Sequence, residues 1–137
     1  MKVPTFLRNY EKVLDFFGYW PSFHDAKVAS YTRANAGHEI VNLTLHTWEM
    51  TSEVDAKGYF VLRKHVVIAF YFADVHDIAL EPIASGNILF DMSIARDNEA
   101  DSFVVNLNSV MDISVSFAAR SGEVVSVLPC TNDGKPI

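Results

Sequence analysis

The chain is short of several things, and each shortage excludes something. It has one cysteine, Cys130, in 137 residues. No intrachain disulfide can form, and a reducing compartment suits such a chain. No apolar run approaches the ~20 residues that span a bilayer as a helix. The longest, Val66 to Ala73, has the length of a strand. Met1 to Thr5 carry one base and no continuous apolar segment, so a secretory leader is not expected and the cytoplasm is the expected location. Six glycines and five prolines are too few for a low-complexity or linker-rich chain. Bases are scarce in the second half. Residues 1–73 hold 8 bases and 7 acids, whereas residues 74–137 hold 3 bases and 10 acids. With a net charge of −6, binding to nucleic acid through its phosphates is not expected. The acidic second half serves solubility, or faces a basic partner.

Reactive motifs are missing as well. There is no G-x-S-x-G, no phosphate-binding P-loop and no G-x-G-x-x-G. The five histidines (24, 38, 46, 65 and 76) show neither H-x-H nor H-x-x-x-H spacing, so neither a metal site nor a cofactor is expected. Cys130 follows Pro129 with no basic neighbour to activate it, and reads as a small buried hydrophobe.

What is present is core-forming material. Half of the residues are hydrophobic and 12% are aromatic, enough for one domain with a real interior. Tyr10, Val13, Leu14 and Phe17 fall on one helical stripe, so a helix is predicted over Asn9 to Phe17, capped by Asn9 and stopped by Gly18. From Val28 onward the pattern is strand-like. Val41, Leu43 and Leu45 alternate with Asn42, Thr44 and His46. Phe103, Val105 and Leu107 alternate with Asn106 and Asn108, and Met111, Ile113, Val115 and Phe117 with Asp112, Ser114 and Ser116. Ile88, Phe90, Met92 and Ile94 form another alternating set. Val66 to Ala73 is apolar on both faces and should be central. Asn35 to His38 marks a hairpin, Met50 to Gly58 reads as a connection or ragged hairpin, and Ile78, Leu80 and Pro82 as an edge strand. Thr131 to Ile137 reads as a frayed tail. The expected fold is α+β and mainly β: a curved, mostly antiparallel, partly closed sheet of about 7–9 strands with one short N-terminal helix.

The densest cluster of reactive side chains is Trp20-Pro21-Ser22-Phe23-His24-Asp25-Ala26, at the passage from helix to strands. It has two readings. Trp20 and Phe23 are packing anchors, Pro21 a helix stop, and His24 with Asp25 a polar lock. Alternatively His24 and Asp25 are an acid/base pair joined by His46, His65 and Glu49 at one end of the sheet. Sequence alone does not bring those groups together.

The heptad, with Gly18 and Tyr19 before it, resembles the signature of the immunity protein 50 family, bacterial proteins of polymorphic toxin systems. The similarity continues through Trp48-Glu49-Met50-Thr51, Glu53-Val54-Asp55, Gly58-Tyr59 and Lys64-His65, covering about residues 13–80. The resemblance implies a single domain that neutralises a cognate toxin by binding it in the producing cell, with no enzymatic activity of its own. The toxin would be an enzyme with a basic site, such as a nuclease. The acids Asp74, Asp77, Glu81, Asp97, Glu99 and Asp101 are then the candidate partner-binding residues, and exposed edge strands offer a route to a homodimer. The alternative is a small hydrolase or ligand-binding domain that uses His24 and Asp25.

Overall fold

The structure is a computed structural model that describes residues 3–79, 86–96, 101–110 and 114–137. The segment α1 (Glu11–Phe17) is followed by β1 (Lys27–Asn35), β2 (Glu39–Val54), β3 (Phe60–Ala73), β4 (His76–Ala79), β5 (Leu89–Arg96), β6 (Phe103–Ser109), β7 (Ser114–Ala119) and β8 (Ser121–Pro129). One sheet runs β1-β2-β3-β8 and the other β4-β7-β6-β5. The paired strands are antiparallel throughout. The mainly-β expectation with one short helix is met. The single curved sheet resolves into two stacked sheets, which do not close into a barrel among the described residues.

Alternation explains the stacking. Val41, Leu43 and Leu45 of β2 and Val66, Ile68, Phe70 and Phe72 of β3 are buried on one side of the first sheet. Phe103, Val105 and Leu107 of β6 and Val115 and Phe117 of β7 are buried on the facing side of the second, all in one hydrophobic cluster. Phe72 meets Phe103 at 6.1 Å and Phe117 at 5.4 Å between ring centroids, tying the two layers together. β3 is interior to its sheet, as its composition predicts, but one face is buried while Val67, Ala69 and Tyr71 stay half-buried.

The chain changes sheets at two corners. Ala73 to His76 turns through Asp74 at φ 53°, and Arg120 separates β7 from β8, its N–H donating to the Ala73 carbonyl at 3.2 Å. At the opposite edge, residues 25–28 exchange four backbone bonds with residues 86–89, stitching the start of β1 to the start of β5. α1 lies along β8, where the Lys12 ammonium donates to the Val125 carbonyl at 3.2 Å.

Three local expectations change, and one open alternative is decided. α1 begins at Glu11, because Asn9 sits at φ 62° and its amide donates to Glu123 at 2.9 Å; Tyr10 holds the cap position without a side-chain bond. Of the two readings for Met50 to Gly58, the ragged hairpin is the one found, since β2 runs to Val54 and pairs irregularly with β3. A bulge between Leu89 and Asp91 buries Leu89 and turns Phe90 outward, breaking the simple alternation of β5. The segment 131–137 is folded rather than frayed: Thr131 N–H donates to Lys135 O, Gly134 N–H to Thr131 O, and Cys130 bridges Pro136. Leu80, Pro82, Ser85, Met111, Asp112 and Ile113 lie outside the described residues.

Candidate functional site

The heptad is built on strained backbone. Phe23 and Asp25 adopt φ 63° and φ 67°, a region that aspartate tolerates but a bulky phenylalanine enters only when its surroundings demand it. The demand is visible. Phe23 is buried between Trp20 and Phe70, with centroids 5.9 and 6.0 Å away, while Asp25 N–H reaches Leu89 O at 2.9 Å and Met92 N–H reaches Ser22 O at 3.3 Å. Pro21 is buried, and exposed Ser22 accepts the His24 N–H through its Oγ at 3.3 Å. The heptad is thus the joint between the two sheets. His24 Nδ1 and Asp25 Oδ2 do pair, at 3.1 Å, but with 55% and 39% of the side chains exposed. An exposed pair of this kind adds little stability. The His24 ring rests its edge on Phe90 at 5.4 Å.

His46 and His65 form a separate cluster on the outer face of the first sheet. His46 follows the inward Leu45 and lies opposite Lys27 of β1. In β3, Lys64 at φ 54° is part of a bulge that sets two residues, Lys64 and His65, against Trp48 alone. The bulge brings His65 beside His46, with Nε2 of His46 3.1 Å from Nδ1 of His65. Trp48 packs on both rings, at 5.1 and 5.5 Å. Burial lowers the His46 pKa first, and His65 and Lys27 lower it further against the opposing pull of Asp133. Burial likewise lowers that of His65. The neutral pair therefore shares one proton bond, one ring donating and the other accepting.

The groups that an acid/base site would need are thus only partly assembled. His46, His65 and Trp48 line a groove of about 600 Å³ with Lys27, Asp55 and Asn132. His24 lines a smaller cavity of about 220 Å³ with Tyr19, Thr47, Trp48 and Met50. Trp48 belongs to both, and no hydrogen bond or ion pair joins His24 or Asp25 to the His46–His65 pair among the described residues. Glu49 is drawn off to Lys64, at 3.5 Å. No cluster of three or more metal-ligating side chains occurs among the described residues.

Of the acids proposed for a partner, Asp74, Asp77 and Asp101 are exposed, and Glu81, Asp97 and Glu99 lie outside the described residues. His76 of β4 and Val104 of β6 both pair with Ala118 of β7. Asp74 and Asp101, just before β4 and β6, therefore emerge at the same end of the second sheet, two strand spacings or roughly 10 Å apart.

What sequence did not show is that the hairpin at Met50 to Gly58 projects as an arm. β1 leaves β2 at His46, and the last β8 pairing with β3 is at Val66, followed by one bond from Cys130 N–H to His65 O. Beyond that point the two strands pair only with each other among the described residues. The arm is held by Thr51, whose buried hydroxyl donates to Val61 O at 2.7 Å, and by Asp55, whose Oδ1 accepts the N–H of Lys57 and of Tyr59 at 2.8 and 3.0 Å. Exposed Met50 faces exposed Leu62 across it, with exposed Val54 and Tyr59 nearer the tip. The signal was in the sequence: Asp55-Ala56-Lys57-Gly58 is good turn chemistry, with Gly58 at φ 86°. The acids around it left a plain connection as the competing reading. No helix among the described residues is long and apolar enough to cross a membrane. No family model matches the chain, and no curated protein or solved structure matches it significantly.

Proposed function

We propose that this protein is an immunity protein that binds and neutralises a cognate bacterial toxin in the cytoplasm, acting by occupation of the toxin's surface rather than by catalysis. The observation that carries the reading is the β2–β3 arm. A two-stranded ribbon without flanking strands is marginal in water on its own. This one nevertheless exposes Met50, Val54, Tyr59 and Leu62, residues that gain most from being covered by a partner. The exposed acids Asp74, Asp77 and Asp101 lie at the far end of β3 from the arm, beside exposed Arg96 and Arg120, and would pair with basic groups of a toxin such as a nuclease. The resemblance of the heptad and of the arm segments to immunity protein 50 sequences points the same way. Neither direct nucleic-acid binding nor a cofactor belongs to this reading. A homodimer through edge strands remains part of it only for β1, β4 and β5, because residues 7–9 and α1 lie against β8.

The test is co-expression with the toxin encoded by the adjacent reading frame. The wild-type chain restores growth, and Met50→Asp with Leu62→Asp removes that rescue while the melting temperature stays within a few degrees. Failure of the wild type to rescue refutes the function, and rescue by the arm variant refutes the surface.

A second reading, a small hydrolase or ligand-binding domain, draws on the His46–His65 pair in its groove beside Trp48 and Lys27. Of its original candidates, His24 lines the neighbouring cavity, and Asp25 pairs with His24 at 3.1 Å. Turnover of a hydrolase substrate panel that is lost in His46→Gln would favour it.

A further inference from the structure

The His46 ring is covered by the segment 131–136, and the fit is close. A Cβ at Gly134 would lie 3.2 Å from His46 Nδ1 and 3.6 Å from its Cγ, and Gly134 holds φ 81°. Only glycine meets both conditions without strain. The segment is locked internally as well: the Thr131 hydroxyl accepts the Lys135 N–H at 3.1 Å, and Thr131 and Gly134 close a turn. It walls off two spaces. Asn132 lines the groove at His46 and His65, and Gly134 and Pro136 line an apolar groove of about 510 Å³ with Val67, Leu128 and Cys130.

We propose that residues 131–136 are a cover released by protons: protonation of the His46–His65 pair detaches the segment from the first sheet and opens the face beneath it. With both rings charged, two donors confront each other across 3.1 Å where one donor and one acceptor stood. The charge meets Lys27 from β1 and His65 from β3, with the Trp48 ring on β2 beside it. Asp133 of the cover itself attracts the charge, and Asp55 lines the same groove. Lys27 and His65 stay with the sheet when the segment leaves, so the burial of His46, the largest of these effects, must outweigh the attraction of Asp133 that is lost with the cover.

The sign follows from proton linkage. Docked, His46 titrates below its ordinary 6.5 because it is buried; detached, it regains water and returns toward that value. The detached form binds protons more readily, so docking is complete above the ordinary value and weakens as the pH falls through it. Detachment would expose Val67 and Cys130, and would give the domain a face at pH 5–6 that is closed at pH 7.5.

Amide hydrogen exchange, corrected for intrinsic rates, tests this at pH 7.5 and 5.5 on the intact chain. Protection at Thr131, Gly134 and Lys135 is expected to fall several-fold, up to the roughly tenfold that one histidine returned to its ordinary pKa can supply at pH 5.5. Protection at Val105 and Leu107 in β6 is expected to hold. His46→Gln, which keeps a polar group but cannot charge, should lose most of the pH response. Gly134→Ala should leave the segment unprotected at both pH values. Unchanged protection in the wild type, a parallel loss in β6, or a full response in His46→Gln would each overturn the proposal.

Discussion

Phe23 lies in the core against Trp20 and Phe70, whereas His24, one residue on, stands in solvent beside Asp25. The strained backbone at Phe23 is maintained by that burial, and the catalytic-looking pair is carried along with it. Phe23→Ala is therefore expected to cost ~3–5 kcal/mol in urea unfolding. His24→Ala should stay within about 0.5 kcal/mol, as a surface substitution does. A reversal of that order would make the polar pair, and not the aromatic anchor, the element that holds the joint. Gly122 shows a second constraint at this scale. A Cβ there would sit 2.7 Å from Leu7 Cδ2 and 3.0 Å from both Phe72 and Phe103, where β8 crosses the core. Gly122→Ala is expected to destabilise by ~1–3 kcal/mol through overpacking, measured as a shift in the denaturation midpoint.

At the scale of elements, the β2–β3 arm stands out because its stability is local. Bulges at Lys64 and between Met50 and Val54 twist it, which discourages uncontrolled pairing along its open edges. Asp55 makes two backbone hydrogen bonds in its turn, so Asp55→Ala should cost about 1 kcal/mol. Amide exchange should quicken in residues 50–62 and not in β6 or β7. An equal effect on the core would mean that the arm folds with the domain as one unit. α1 teaches a related lesson. Its apolar stripe predicted the helix, and Val13 and Phe17 are buried as that stripe requires. Its start moved because Asn9 is claimed by Glu123, which lies 114 residues away in the chain.

Across the whole molecule, the end opposite the arm carries exposed charge of both signs, with Arg96 and Arg120 beside Asp74 and Asp101. The exposed acids Asp74 and Asp101 leave the second sheet together, at the opposite end of β3 from the arm. A basic partner that approaches this end would be steered electrostatically. Raising salt from about 0.05 to 0.5 M should then slow its association by on the order of tenfold. Asp74→Asn with Asp101→Asn should flatten that dependence and leave the dissociation rate nearly unchanged. A dissociation rate that changes instead would put these acids inside the tightly packed contact.

Periodicity made most of the fold legible. Alternation in β2, β6 and β7 announces which side chains turn inward, because burial of one sheet face imposes a period of two, while the run in β3 announces only a central strand. The absence of helices long enough for crossovers made antiparallel pairing the expectation. Division into two sheets was not legible, since it depends on where the chain turns a corner, at Asp74 and Arg120, and corners have no period. The site was legible only as residue types. His46 and His65 meet because one extra residue at Lys64 rotates β3, a shift of register that leaves no mark in composition. His24 and Asp25, adjacent in the chain, remain together and apart from that pair. Proximity in sequence ensures the first contact, and the packing of one sheet against its own bulges creates the second.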